Sequence, residues 1–527
     1  MELCSLLLLL PFLLGFLYLA KVWAAGRNAR RLPPSPPGLP LIGNLHQVGA
    51  LPHRAMRALA ATHGAPDLMR LRLGQVPAVV ASSPAAAAAL MREHDGAFGT
   101  RPYFRTAEIL TYGFQDLVFA PHGEHWRHVR RLCSAHVLSA VRSHSFDGMR
   151  EREVAALVRT IRERAASSSS SPAGVVDVSK ALYGFANGVI CRAVSGTGRL
   201  SREEEGRRSE LFRALIEENT ALLGGFCVGD YFPSLAWADA LSGAGARAWR
   251  NFKRWDDVLE KVVQEHEARR RRGDGDCDGE EEEEDFVDVL LALQAEEKQD
   301  DDGFGLTRDA IKSLLADMFA AGTETSFITL EWAMSELVRN PAAMERLKSE
   351  IRAEAAGSGT VAAGRDALGG GATTPPYLRA VVKETLRLHP PVPLLLPREC
   401  MRDTTVLGFH VARGTRVFVN AWAVGRDPAS WSAPDEFRPE RFLGSGDNEA
   451  VDFRGAHFQF VPFGAGRRVC PGMQFGLATV ELALASLVRL FDWALPGGAA
   501  PGDLDMSDAP GLATPRRVPL RLVAKPL

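Results

Sequence analysis

Between Pro462 and Gly472 the chain reads Pro-Phe-Gly-Ala-Gly-Arg-Arg-Val-Cys-Pro-Gly, and a helix-like apolar run, Met473 to Leu490, follows directly. One cysteine, Cys470, therefore lies in a glycine-rich loop beside two arginines and just ahead of a helix start. Positive charge, a metal or a helix N-terminus stabilises a thiolate. The arrangement suits a thiolate metal ligand better than half of a disulfide, and haem iron is one taker of a single cysteine.

The chain around this loop has the composition of a folded globular protein. It is 46% hydrophobic and 24% charged, with a net charge of −2 over 527 residues. No basic excess supports nucleic-acid binding. Seven widely spaced cysteines give neither a disulfide framework nor a C-x-x-C zinc site, and fit a reducing, cytosol-facing compartment. The length allows two to four average domains or one large one.

The first 25 residues read as a membrane signal anchor. Leu3 to Ala20 carry no Asp, Glu, Lys or Arg, and 18 helical residues rise about 27 Å, close to the thickness of a thin bilayer. A cleaved signal peptide is the rival. Against it, Glu2 precedes the run while Lys21, Arg27, Arg30 and Arg31 follow it. The positive-inside rule then leaves the body in the cytosol. Residues 26–44 contain Leu32-Pro33-Pro34-Ser35-Pro36-Pro37-Gly38-Leu39-Pro40, a proline-rich hinge that favours stiff, extended chain. Residues 45–527 are expected to form one catalytic domain.

The rest of the chain is mainly α in its periodicity. Helices are expected over 83–93, 154–166, 248–272, 307–339 and 377–388, and strands near 68–80, 405–411 and 415–419. Nothing alternates in the manner of a doubly wound sheet. Ser167 to Ser171, the nine acids between Asp274 and Asp285, and Gly357 to Thr374 read as surface loops.

Four further constellations accompany the cysteine loop. Ala321-Gly322-Thr323-Glu324-Thr325-Ser326 puts an acid, hydroxyls and a glycine in the middle of an apolar helix, where each is a poor choice. Threonine hydroxyls can bond back to the preceding turn, and such a groove can hold dioxygen and water beside a metal. Taken alone, an exposed face of an ordinary helix explains it equally well. Glu384 and Arg387 sit at i and i+3, a spacing more often found in surface ion pairs. Arg441, in Phe437-Arg438-Pro439-Glu440-Arg441-Phe442, is placed to complete a buried network with them. Trp126 and Arg130 are one turn apart, and an indole N–H beside a guanidinium suits a carboxylate ligand. The nearby His122, His125 and His128 invite a metal site, but no carboxylate or cysteine partner accompanies them.

Order and content together resemble a cytochrome P-450, specifically a plant microsomal one of the group serving specialised metabolism, from the anchor to the C-terminus. Phe463, Gly466, Arg468, Cys470 and Gly472 fit the family pattern F-x-x-G-x-R-x-C-x-G. Glu384, Arg387 and Arg441 fit its E-x-x-R triad, and Ala321 to Ser326 its oxygen-binding helix.

The resemblance implies a cytochrome P-450 fold, one large helical domain with small β-sheets enclosing haem b. It makes Cys470 the iron ligand. Trp126, Arg130, Arg398 and Arg468 become the holders of the haem propionates, with Phe463 against the ligand loop. Glu324 and Thr325 become catalytic, positioning water and relaying protons toward dioxygen. The activity implied is a monooxygenase hydroxylating a small, mainly apolar plant metabolite of terpenoid, phenylpropanoid, flavonoid or indole class.

The implied electron source is NADPH, through a membrane-bound NADPH–cytochrome P-450 reductase on the Cys470 side, where Arg467 lies. The implied site is the endoplasmic reticulum membrane. Pocket walls are expected around 104–119, 319–325, 392–396 and 511–514, with Leu394, Leu395, Leu396 and Leu512 making them apolar. Two other readings stand beside this one. A haem-thiolate isomerase or dehydratase needs no external electrons, and such relatives often lack the helix threonine. A membrane haem-binding protein without activity has no use for Glu324 and Thr325 together.

Overall fold

A computed structural model describes residues 31–166, 174–196, 202–239, 243–272, 284–297, 305–357, 374–444 and 446–527. The signal anchor, the first residues of the hinge, the serine tract and nearly all of the acidic and Gly357–Thr374 loops lie outside these residues.

Eight helices frame the interior: α1 (Glu124–Leu132), α2 (Asp147–Ala166), α3 (Val178–Ser195), α4 (Arg202–Leu223), α5 (Ala244–Arg272), α6 (Arg308–Arg339), α7 (Pro376–Leu388) and α8 (Met473–Leu490). The 32-residue α6 is the axis of the molecule. The Thr307 side chain caps it by accepting the Ala310 N–H at 3.0 Å, and Asp309 and Arg339 complement its dipole at the two ends. From Ile328 to Val338 all of its side chains are buried. It crosses α3 at Gly322, where any Cβ would collide with the Ile190 side chain. That close approach is a use of glycine that outweighs its poor helix propensity.

Helix α7 starts on Pro376, whose missing N–H costs nothing in the first turn, and stops ahead of His389 and Pro390. Helix α8 packs against α6 and α2. Among the described residues it is the one helix long and apolar enough to cross a membrane, and half of it is buried in the core.

The β structure is small and peripheral. Strands β1 (Leu68–Leu73) and β2 (Val76–Ala81) form an antiparallel hairpin over a two-residue turn. Strand β3 is Val175–Asp177, β4 Arg398–Glu399, β5 Thr404–Val406, β6 Phe409–Val411, β7 Arg416–Val419, β8 Phe491–Ala494 and β9 Arg521–Pro526. They make three sheets, ordered β1-β2-β7-β4, β3-β9-β8 and β5-β6. The β2–β7 pair is parallel, its other neighbours antiparallel. The main core lies among the helices, and a second cluster joins the first sheet to the cysteine loop through Met91, Phe98 and Ala465.

The described part of the hinge is fastened to this body. Arg70 N–H donates to Pro34 O at 2.8 Å, and the buried Asn44 side chain donates to Pro36 O at 3.3 Å.

Candidate active site

The cysteine loop owes its shape to glycine. Gly466 has φ +70°, and a Cβ there would collide with the Met91 carbonyl oxygen and the Asp95 carboxylate. One tight turn, Gly466–Arg468, follows, and the Cys470 amide donates to Phe463 O at 3.0 Å. Gly472 then caps α8. Cys470 thus stands two residues ahead of a helix N-terminus, on the wall of a cavity of about 290 Å³. Burial pushes its thiol up, opposed by the Gly472 N–H and by Arg130.

Other walls come from α6 (Ala321, Gly322, Thr325), from Val392, Leu395 and Leu396, and from Leu117 and Val118. Leu395 holds a left-handed backbone (φ +50°), a strained conformation for a leucine, fixed by its N–H bond to Val392 O at 3.0 Å. Phe463 lines the cavity as well and packs edge-on against Phe453. Leu394 and Leu512, expected on the pocket wall, do not reach it. Leu394 packs with the β1–β2 hairpin cluster instead, and Leu512 is half-buried outside the cavity.

Four guanidiniums line the same space: Arg101, Arg130, Arg398 and Arg468. Arg468 donates to Gly99 O at 2.8 Å and Ala120 O at 2.6 Å, and lies 4.0 Å above the Trp126 ring. Burial, then Arg398, lowers it to about 9. Arg398 donates to Ala465 O at 2.8 Å and Asp95 at 3.2 Å. Arg101 donates to the carbonyls of Val118, Leu396 and Pro397. Burial and then its two arginine neighbours press it well below its usual value.

Arg130 makes no hydrogen bond or ion pair among the described residues, and faces Cys470. The Trp126 N–H, expected on a ligand carboxylate, is donated to Leu117 O at 3.2 Å in this structure. A cluster of buried cations that depress one another favours an anion in their midst. A flat iron macrocycle with two carboxylates fits this donor set: one sulfur on the wall, excess guanidinium charge, and apolar surface elsewhere.

The adjacent Glu324 and Thr325 part company. Successive residues on a helix point about 100° apart. Thr325 lines the cavity, its hydroxyl donating back to Ala321 O at 2.7 Å. Glu324 turns to α4, where Thr220 donates to its carboxylate at 2.7 Å.

Sequence reasoning overlooked three groups here. Arg101 and Asp116 are single charged residues in loops with no periodic signal, and Asp317 is one charge within the expected helix 307–339. Asp116 accepts the Val118 N–H and, more closely, the Phe119 N–H, and burial raises it to about 6. Asp317, on the cavity-facing side of α6, accepts the Leu117 N–H at 2.8 Å. Burial and then Asp116 hold its carboxyl well above the usual range. The signal available was spacing: residues 317, 321 and 325 recur every four along one helix face.

Behind the loop, the Glu384–Arg387 pair is wholly buried. Arg387 forks onto both carboxylate oxygens at 2.7 and 2.8 Å, and Arg441 reaches Oε1 at 3.0 Å. The Arg438 N–H adds a fourth bond at 2.8 Å. The remaining Arg387 donors go to the carbonyls of Gly425, Pro434 and Glu436. The three nearby histidines form no metal cluster. His122 contacts Arg467, and His125 contacts Gln115 O. Arg467 is itself paired with Asp95 at 2.8 Å.

A large helical body around a cavity, with a lone cysteine on the cavity wall and a buried Glu–Arg–Arg network behind it, defines the class. The cytochrome P-450 family model matches residues 33–518. Norfluorocurarine oxidase of a Strychnos species is 42% identical over 98% of this chain and 97% of its own length. Indole-2-monooxygenase of Zea mays is 43% identical over 98% of this chain and 94% of its own. A solved zebrafish cytochrome P-450 with abiraterone superposes with a TM-score of 0.70 at 25% identity, covering 91% of this chain and all of that one. The chain belongs to the cytochrome P-450 family and is a monooxygenase. Haem iron, dioxygen and an external electron donor belong to that chemistry.

Proposed function

We propose that this protein hydroxylates a small, mainly apolar plant metabolite of terpenoid, phenylpropanoid, flavonoid or indole class. In this reading it uses haem b, dioxygen and electrons from NADPH delivered by NADPH–cytochrome P-450 reductase. The observation that carries the reading is the cavity itself, with Cys470 and Thr325 on its walls and mostly apolar side chains between them. Bound haem supplies reductive activation of dioxygen and insertion of one oxygen atom into a C–H bond.

The protein's own groups do the rest. Cys470 is the iron ligand, and the Gly472 N–H moderates the charge on its sulfur. Arg130, Arg398, Arg468 and the Trp126 N–H hold the two haem carboxylates, and Phe463 packs beside the ligand loop. Thr325 positions water on the cavity side of α6, and Glu324 keeps that water supplied with protons. A threonine on the cavity wall favours the monooxygenase over an isomerase that draws no electrons.

The membrane assignment has support from the surface. Leu39, Leu41 and Ile42 of the hinge and Phe226, Leu235 and Trp237 are all exposed. The β1–β2 turn joins the two groups, Gly74 N–H donating to Ile42 O and Gln75 N–H to Tyr231 O. An apolar patch beside the end of the hinge suits a body resting on the bilayer that the N-terminal anchor enters.

Co-expression with the reductase and a screen of the named metabolite classes, read as a mass gain of one oxygen, tests the activity. An isomerised product formed without NADPH would overturn it. Cys470→Ala should abolish the reduced carbon-monoxide band characteristic of thiolate-bound haem. Persistence of that band in the variant would remove Cys470 as the ligand.

A further inference from the structure

The polar groups on the far side of α6 belong to no part of the cavity. Thr220 lies in the last turn of α4 and donates to Glu324 Oε2 at 2.7 Å. One turn earlier on α4 stands Glu217, exposed to solvent and paired with Arg213 at 2.7 Å. From α3, Tyr183 adds a buried hydroxyl with no hydrogen-bond partner among the described residues, its ring under the Arg213 guanidinium at 5.1 Å. Two polar groups of α4, Glu217 at the surface and Thr220 one turn further on, thus lie on the Glu324 side of α6, and the next residue of α6 faces the cavity.

We infer that Thr220 is a positioning residue for proton supply: its hydroxyl fixes the Glu324 carboxyl on the α4 side of α6, which makes the last turns of α4 the proton entrance. The inference rests on the reading of Glu324 and Thr325 as the relay. At each transfer Glu324 gives one proton to water on the Thr325 side and recovers one from solvent at Glu217, and each turnover takes two such transfers. No electrons move in this step.

The charges around the carboxyl agree with such a role. Burial raises Glu324 to about 7; the Thr220 hydroxyl opposes the rise and Glu217 adds to it. The groups facing it are Tyr183 from α3 and Glu217 and Thr220 from α4, with Arg213 facing Tyr183 and Glu217 in turn. The carboxyl therefore holds a proton below about pH 7 and is ionised above it.

The test uses the full-length holoenzyme as Thr220→Val, Thr220→Ser, Glu217→Gln and Glu324→Gln. Infrared titration of the resting protein follows the protonated carboxyl band that Glu324→Gln removes. Losing the hydroxyl should move its midpoint up by about one pH unit. Serine should restore it, and Glu217→Gln should move it down. Basal NADPH turnover with the reductase, read as the fraction of oxygen released as hydrogen peroxide against pH, should shift with the midpoint. An unmoved midpoint in Thr220→Val overturns the positioning role. If the midpoint moves but neither Thr220→Val nor Glu324→Gln alters the peroxide profile, the relay reading itself fails, and the entrance with it.

Discussion

Two groups of arginines sit a short way apart in this protein, and they are compensated in opposite ways. Behind the cysteine loop, Arg387 and Arg441 share Glu384, and backbone carbonyls take their other donors. Around the cavity, Arg101, Arg398 and Arg468 lean on carbonyls and on Asp95, while Arg130 has no partner among the described residues. The first group is closed and complete within the polypeptide. The second carries charge that burial and mutual repulsion press down, as a site prepared for an anionic group would. Buried charge of the first kind holds a fold together; buried charge of the second kind receives something.

The contrast can be broken by substitution. Glu384→Gln strands two buried guanidiniums and should cost about 3–5 kcal/mol, read as a lower chemical-unfolding midpoint of the holoprotein. A wild-type midpoint would show that the network is not the brace described here. Arg468→Leu leaves the Gly99 and Ala120 carbonyls without their donor, a loss of about 1–3 kcal/mol, and should also weaken haem retention. Arg130→Leu breaks no hydrogen bond or ion pair within the described residues. Stability of the haem-stripped protein should stay within about 0.5 kcal/mol, while haem transfer to a scavenger quickens about tenfold through loss of one charge-assisted bond. If Arg130→Leu destabilised the stripped protein as much as Arg468→Leu does, the two guanidiniums would be structural alike.

Much of this was legible beforehand where a strong period or a motif spoke for itself. Helices α6, α7 and α8 fall within a residue of their expected limits, because proline, threonine caps and long apolar runs mark their ends. Helices α3 and α4 were not anticipated: α3 is buried nearly all round and shows no polar face, and α4 is highly charged. The sheet β3-β9-β8 also escaped notice, since its strands come from distant parts of the chain and β3 has three residues.

At the site, the motif placed Cys470 and Thr325 on the cavity wall but could not tell that Glu324, one residue away, points elsewhere. Nor could it find Asp317, which makes sense only once α6 lies beside the Leu117 loop.

One last consequence concerns the synthesis of the chain rather than its finished form. Helix α8 has the length and greasiness of a segment that a membrane insertion channel would accept. Near its midpoint stands Glu481, which in the folded protein accepts the Thr374 hydroxyl at 3.0 Å. A carboxylate at the centre of a spanning helix costs about 3 kcal/mol on insertion scales. That single acid weighs against insertion of a helix that, once folded, carries the cysteine loop.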